Sequence, residues 1–217
     1  MRRNLHHDPA TGNWSAQVRP QSLLMRLPRT FYDRPALTVA RELLGTRLVV
    51  MDAAGARRVA RIVETEAYVG EHDLASHASK GRTARTDVMF GPPGHAYVYL
   101  IYGMYRCFNV VAERDGVAAA VLVRGVEPLE GIPADLRTDG PGRLTRALGI
   151  GLEHNRVDLL SEALHLEAGV PVGDADVERG PRIGVDYAGA WAAEPYRLWV
   201  RGSVHVSKVP GGRRRKA

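Results

Sequence analysis

Apolar and polar positions alternate most clearly between Ala96 and Ala112. Ala96-Tyr-Val-Tyr-Leu-Ile101 and Tyr105-Arg-Cys-Phe-Asn-Val-Val-Ala112 read as two strands, and Tyr102-Gly103-Met104 between them reads as a tight hairpin turn. Arg47–Met51 and Val59–Ala67 have the same strand character, separated by the turn residues Asp52-Ala-Ala-Gly55. Val117–Val123 supplies a further strand, and Arg182–Val206 two or three more, including Tyr196–Arg201. Helical spacing occurs twice. In Pro35–Leu44 the positions Leu37, Val39, Ala40, Leu43 and Leu44 are apolar, and Gly45 is the stop. Gly140-Pro-Gly-Arg-Leu144 opens a short helix ending near Gly149, with Pro141 in the first turn, where a missing N–H costs nothing. A long polar loop runs from Gly70 to about Pro93. This pattern predicts a single-domain mixed α/β (α+β) fold on a mainly antiparallel sheet, with a protruding hairpin and peripheral helices.

Before Leu27 the chain is polar and non-periodic, broken by Asp8-Pro9, Gly12-Asn13 and Arg19-Pro20. Residues 1–26 are expected to be loosely ordered, 27–210 to form the domain, and 211–217 to be a basic tail. A length of 217 residues fits that division. The formal net charge of +6 is unevenly placed. Residues 1–30 carry +4 and Arg213-Arg-Arg-Lys216 another +4, which leaves −2 on residues 31–212. The excess positive charge therefore belongs to the ends, as electrostatic arms or as solvated tails, and by itself says nothing about a nucleic-acid partner. No apolar run is long enough for a membrane span, and Met1-Arg-Arg-Asn-Leu has no signal-type apolar segment. A single cysteine, Cys107, excludes a disulfide framework within the chain, a cysteine-ligated zinc site and an iron–sulfur cluster. The cytoplasm is the expected compartment.

Several chemistries can be set aside. The chain has no G-x-G-x-x-G after a strand, no phosphate-binding G-x-x-x-x-G-K-[ST], no H-E-x-x-H and no G-x-S-x-G. Its only lysines are Lys80, Lys208 and Lys216, so a Schiff-base mechanism has few candidates. Two features remain. In Arg61-Ile-Val-Glu-Thr-Glu-Ala-Tyr68, strict alternation puts Ile62, Glu64, Glu66 and Tyr68 on one face. Such a strand is either a solvated edge or a cleft wall with one carboxylate acting as general base. Four of the eight tyrosines, Tyr97, Tyr99, Tyr102 and Tyr105, fall within nine residues. Core packing accounts for Tyr97. It does not account for Tyr102 and Met104 at a turn, where an aromatic and a methionine are apolar groups in want of a partner, such as a base stack they could enter. His77 sits in the polar loop, as a solvated or a functional side chain, and Lys80, Arg82 and Arg85 follow as a local basic cluster suited to phosphate contacts.

These segments carry a family resemblance. Arg61-Ile-Val-Glu-Thr-Glu-Ala-Tyr68, His77, Met89-Phe90, Tyr97-Val-Tyr-Leu-Ile-Tyr-Gly-Met-Tyr105 and Asn109 closely resemble the alkyladenine (3-methyladenine) DNA glycosylases of the mammalian type. So do Val121-Leu-Val-Arg-Gly-Val-Glu-Pro-Leu-Glu-Gly131, Gly140-Pro-Gly-Arg-Leu144 and Arg201-Gly-Ser203, in register over roughly residues 27–210. The resemblance implies a curved antiparallel sheet in one domain, and a repair enzyme that extrudes a damaged purine and hydrolyses its N-glycosidic bond. It implies Glu66 as the base that activates water, and Arg124 as the residue that positions them. Tyr68, His77, Tyr99 and Asn109 then form the base pocket, and Tyr102 with Met104 enters the duplex. Lys80, Arg82, Arg85 and Arg143 are candidates for the DNA backbone. No cofactor or metal is implied. The expected partners are double-stranded DNA and a catalytic water, and the expected state is a monomer, nucleoid-associated in a bacterium. Val204-His205 and His95 depart from the family pattern and bear on flanking contacts.

Overall fold

The computed structural model describes residues 25–52 and 54–208. The expectations for residues 1–24 and for the basic tail at 211–217 lie outside the described residues. Among the described residues three α-helices, α1 (Arg29–Tyr32), α2 (Ala36–Leu43) and α3 (Pro141–Leu148), accompany eight strands. The strands are β1 (Arg47–Met51), β2 (Arg57–Val69), β3 (Ala96–Ile101), β4 (Tyr105–Ala112), β5 (Ala119–Glu130), β6 (Leu164–Glu167), β7 (Val177–Gly180) and β8 (Arg197–Val200). All pair antiparallel in a single curled sheet of order β3-β4-β5-β2-β1-β6, with β8 also on β2 and β7 on β8. No helix among the described residues is long and apolar enough to cross a membrane.

Each face of the sheet has its own cover. α2 buries Ala36, Val39, Ala40 and Leu43, the i, i+3, i+4, i+7 stripe of an amphipathic helix, with Pro35 at its start. That stripe, with Leu144 and Leu148 of α3, joins Leu48, Val50, Phe108, Val110, Val121 and Val123 in the main core. α3 ends where predicted, because Gly149 takes the left-handed C-cap conformation (φ 76°) that β-carbon-bearing residues avoid. The opposite face is covered by the 70–93 segment. Its Val88, Met89 and Phe90 are buried against Tyr97, Val111 and Ala120 in a second cluster. The expected polar loop thus contains two short 3-10 turns, His77–Lys80 and Asp87–Phe90, the second with an apolar underside.

Two expectations are corrected, for β5 and for the segment after Arg182, and two strands carry no sequence signal. β5 does not stop at Val123 but continues to Glu130. β6 and β7, each only four residues, are too short to show a period of two. Between Arg182 and Val206 only β8 is a strand. The stretch Asp186–Ala193 is 3-10 helical with a break at Gly189, since its Ala and Gly residues favour no strand.

Candidate active site

β2 and β5 pair along most of their length, but the register slips twice near the carboxylates. Ile62 faces Val126 and Glu64 faces Gly125, so Val63 is an extra residue in β2; Thr65 then faces Val123, so Arg124 is an extra residue in β5. Bulges of this kind bend a strand and re-aim its side chains. The one in β2 overturns strict alternation. Ile62 packs in the helix-side core with Ala60, and Ala67 lies there too. Between them, the Thr65 hydroxyl donates to the Ala40 carbonyl of α2 at 2.9 Å. Glu64, Glu66 and Tyr68 consequently turn to the other face, without Ile62. Nor is β2 a solvated edge. β5 lies on one side and β1 and β8 on the other, and both carboxylates are 0 % exposed.

Each buried carboxylate has its own guanidinium. Glu64 Oε1 accepts from Arg197 Nε at 2.6 Å and from the Ser207 hydroxyl at 2.7 Å, and Oε2 accepts from the Ser207 N–H at 2.6 Å. Glu66 Oε2 accepts from the Tyr68 hydroxyl at 2.9 Å and from Arg124 Nη1 at 3.3 Å, while Oε1 accepts from the Ile183 N–H at 2.8 Å. Burial works against the charge of Arg124, but Glu66 and then Glu64 hold its pKa above the ordinary value. Burial and the Glu66 carboxylate push the Tyr68 phenol well above its ordinary range, so it stays a proton donor to Glu66. With three protein donors on about four lone-pair sites, Glu66 keeps one acceptor position, on Oε1.

Tyr68, Arg124 and Ile183, the three residues that hold Glu66, all line a cavity of about 850 Å³. His77, Tyr99, Tyr102 and Cys107 line it as well. His77 meets Tyr99 edge-on at 4.7 Å between ring centroids, and its Nδ1 lies 3.0 Å from the buried Tyr97 hydroxyl. Burial, Arg85 and Lys80 lower the His77 pKa to about 4, so the imidazole is neutral at neutral pH. Tyr99 packs beside Tyr97, and burial raises its pKa well above ordinary, with Cys107 adding to the rise. The sequence-predicted pocket set of Tyr68, His77 and Tyr99 is therefore brought together.

Asn109 is not. It is buried beside Leu122 and donates to the Tyr97 carbonyl at 2.9 Å, without lining the cavity. At the hairpin tip Tyr102 is 84 % exposed and Met104 68 % exposed. The three-residue loop takes positive φ at Tyr102 (52°) and Gly103 (68°), the two central residues of a turn closed by the Met104 N–H on the Ile101 carbonyl at 3.3 Å. A left-handed tyrosine costs roughly 1–2 kcal/mol, and no packing against its own fold repays that here. Of the basic cluster, Lys80 is exposed, Arg82 is paired with Asp87 (2.7 Å), and Arg85 lies 4.7 Å above the Tyr99 ring. Arg143 lines the cavity and is paired with Asp139 at 3.1 Å.

Several site residues escape sequence reasoning. Ile183 acts through a backbone N–H, so no side-chain pattern marks it. Arg182 and Asp73 form a fully buried ion pair, 109 positions apart, with the Arg182 guanidinium 4.8 Å from the Tyr68 ring centroid. Lys208, one of the chain's three lysines, is exposed and lines the cavity.

Comparison with known proteins gives a consistent answer. The family described as methylpurine-DNA glycosylase matches residues 30–204. A protein of Myxococcus xanthus is 67% identical over 190 residues, covering 88% of this chain and 97% of its own length. A protein of Methanocella arvoryzae is 53% identical over 198 residues (85% and 98%), and one of Legionella pneumophila strain Corby 49% identical over 186 (86% and 100%). Each of the three carries, by provisional assignment, the name 3-methyladenine DNA glycosylase.

Proposed function

The chain belongs to the methylpurine-DNA glycosylase family, DNA-repair hydrolases of N-glycosyl bonds, and we propose that it extrudes an alkylated or deaminated purine from duplex DNA into the cavity beside Glu66. There it hydrolyses the N-glycosidic bond and leaves an abasic site. The observation that carries this reading is the Glu66 carboxylate, buried directly behind the cavity wall and fixed by three donors whose residues line the cavity, with one acceptor position on Oε1 that they do not take.

A base within the stack cannot reach such a site, so extrusion precedes chemistry and costs a few kcal/mol. Stacking on Tyr68 and Tyr99 returns roughly 1–3 kcal/mol per aromatic contact. An N3- or N7-alkylated purine is cationic. Electron-rich tyrosine faces attract it, and a neutral His77 does not repel it. Arg124 is neutralised by Glu66 and Glu64, and Arg182 by Asp73, whereas Arg85, 4.7 Å from the Tyr99 ring, forms no ion pair among the described residues. In the reaction the water oxygen bonds to C1′ and Glu66 takes the water's proton. The electron pair of the C1′–N bond leaves with the purine; a cationic N3- or N7-alkylated base departs neutral, whereas a deaminated base departs as an anion that takes a proton from solvent. Arg124 and the Tyr68 hydroxyl keep Oε2 occupied, which directs the proton to Oε1.

The reading is tested with lesion-bearing duplex oligonucleotides. The expected products are the free purine and an uncut strand that breaks only on heating in alkali. Borohydride should trap no covalent adduct. An adduct that disappears in Lys208→Ala or Lys80→Ala would replace the water mechanism with an amine one.

A wedge role for Tyr102 predicts a second result. Filling the gap in the stack slows return of the base, so Tyr102→Ala should weaken extrusion by about 1–3 kcal/mol, one lost stacking contact. The loss should be largest for paired lesions and smallest for single-stranded ones, with the melting temperature unchanged because the side chain is exposed. An equal loss on both substrates would remove Tyr102 from the extrusion step.

A further inference from the structure

A second groove, of about 610 Å³, lies beyond the wall formed by Tyr105, Gly142 and Arg143, which it shares with the base cavity. Its other side is made by Met104, Arg106, Thr145, Arg146 and Glu153. The two depressions use opposite faces of the hairpin. Tyr99 pairs with Cys107 and Ile101 with Tyr105, and all four line the base cavity. Arg106, one residue along, alternates to the other face and lines only the groove.

The groove is pre-formed. The buried Thr145 hydroxyl of α3 lies 3.1 Å from the Arg106 carbonyl of the hairpin, and as close to the Pro141 and Gly142 carbonyls of its own helix, so the helix and the hairpin are in direct polar contact. Gly142 lets the two approach. A β-carbon there would lie 2.9 Å from Tyr105 side-chain atoms, closer than real side chains tolerate. Its charge is positive. Arg106 and Arg146 are exposed and form no ion pair among the described residues, and Arg143 shares Asp139 with Arg137. Glu153 is the single acid lining it, 3.4 Å from His154. Two free guanidiniums in a fixed trough beside an exposed apolar tip match a phosphodiester backbone.

On the reading that this chain extrudes purines from duplex DNA, we propose that this groove binds backbone phosphates of the undamaged strand, through Arg106 and Arg146. An extruded nucleotide remains attached to its own strand, which therefore runs along the base-cavity face of the hairpin. With the tip inserted, the opposite face looks across the gap toward the complementary strand.

The test is the double variant Arg106→Gln/Arg146→Gln. Each lost phosphate contact reduces the slope of log affinity against log salt by about 0.9, so two reduce it by about 1.8, or roughly 60-fold weaker duplex binding at 0.1 M salt. Release from a single-stranded lesion oligonucleotide at saturating enzyme should be unchanged, and so should the melting temperature. An unaltered salt slope on the duplex, or an equal loss on single-stranded substrate, overturns the assignment. Base release by the wild type, run alongside, keeps the two readings apart. Its absence would end the glycosylase reading, whereas its presence with an unaltered slope ends only that of the groove.

Discussion

Glu66→Gln is expected to lower single-turnover release of an alkylated purine by about 10²–10⁴-fold, the usual contribution of a positioned general base. Lesion-duplex affinity should stay within about tenfold of wild type. The amide keeps the size of the carboxylate, and its oxygen can still accept the Ile183 N–H now held at 2.8 Å. Its NH₂ can donate to the Tyr68 oxygen, but it faces Arg124 as donor against donor, so that contact, now 3.3 Å, is lost. Arg124 retains Glu64 at 3.5 Å and the Ser207 hydroxyl at 3.3 Å, which keeps its charge paired and limits the loss of stability. Activity therefore separates from both binding and folding. Release within tenfold of wild type would require another base, and Glu64 could not serve without giving up Arg197 and Ser207.

Much of this site is legible in the sequence because its chemistry sits on the most regular elements. Glu66 and Tyr68 share a strand, Tyr99 and Tyr102 a hairpin, and alternation places such pairs correctly whenever no residue is inserted between them. The error at Ile62 has that cause. Val63 is an added residue, and nothing in Val-Glu-Thr-Glu announces a bulge, because the matching irregularity at Arg124 is about sixty positions away. The parts that stay hidden are contacts between distant segments through groups without a signature. A backbone N–H at Ile183, a serine at 207 and an arginine at 182 look like loop residues until the strands between them are paired. Asn109 shows the converse. Its strand position was readable, but its amide is taken by the Tyr97 carbonyl of the neighbouring strand.

The buried pair of Arg182 and Asp73 carries the largest expected effect on stability. Both side chains are fully buried, and the carboxylate accepts from both terminal nitrogens of the guanidinium. Arg182 also donates to the Ala67 and Trp191 carbonyls, while Asp73 accepts from the Val69 and Ala75 N–H groups. Burial opposes the charge of Arg182, yet Asp73 holds its pKa above the ordinary value. Arg182→Ala leaves the Asp73 charge without its partner, which costs about 3–5 kcal/mol, or roughly 6–20 °C in melting temperature for a domain of this size. Asp73→Asn added to Arg182→Ala should recover part of that loss, because a neutral amide is cheaper to bury and its oxygen still accepts one of the two N–H groups. Activity should fall further than the folded fraction. The guanidinium lies between the Tyr68 and Tyr196 rings, at 4.8 and 5.2 Å, and the next residue is Ile183, whose N–H fixes Glu66. Calorimetry paired with single-turnover release at 25 °C checks both parts. A melting temperature within about 3 °C of wild type would show that solvent reaches Asp73 and that the pair is not the brace described. A large drop in melting temperature with full activity in the folded fraction would detach it from Tyr68 and Glu66 while leaving its structural role intact.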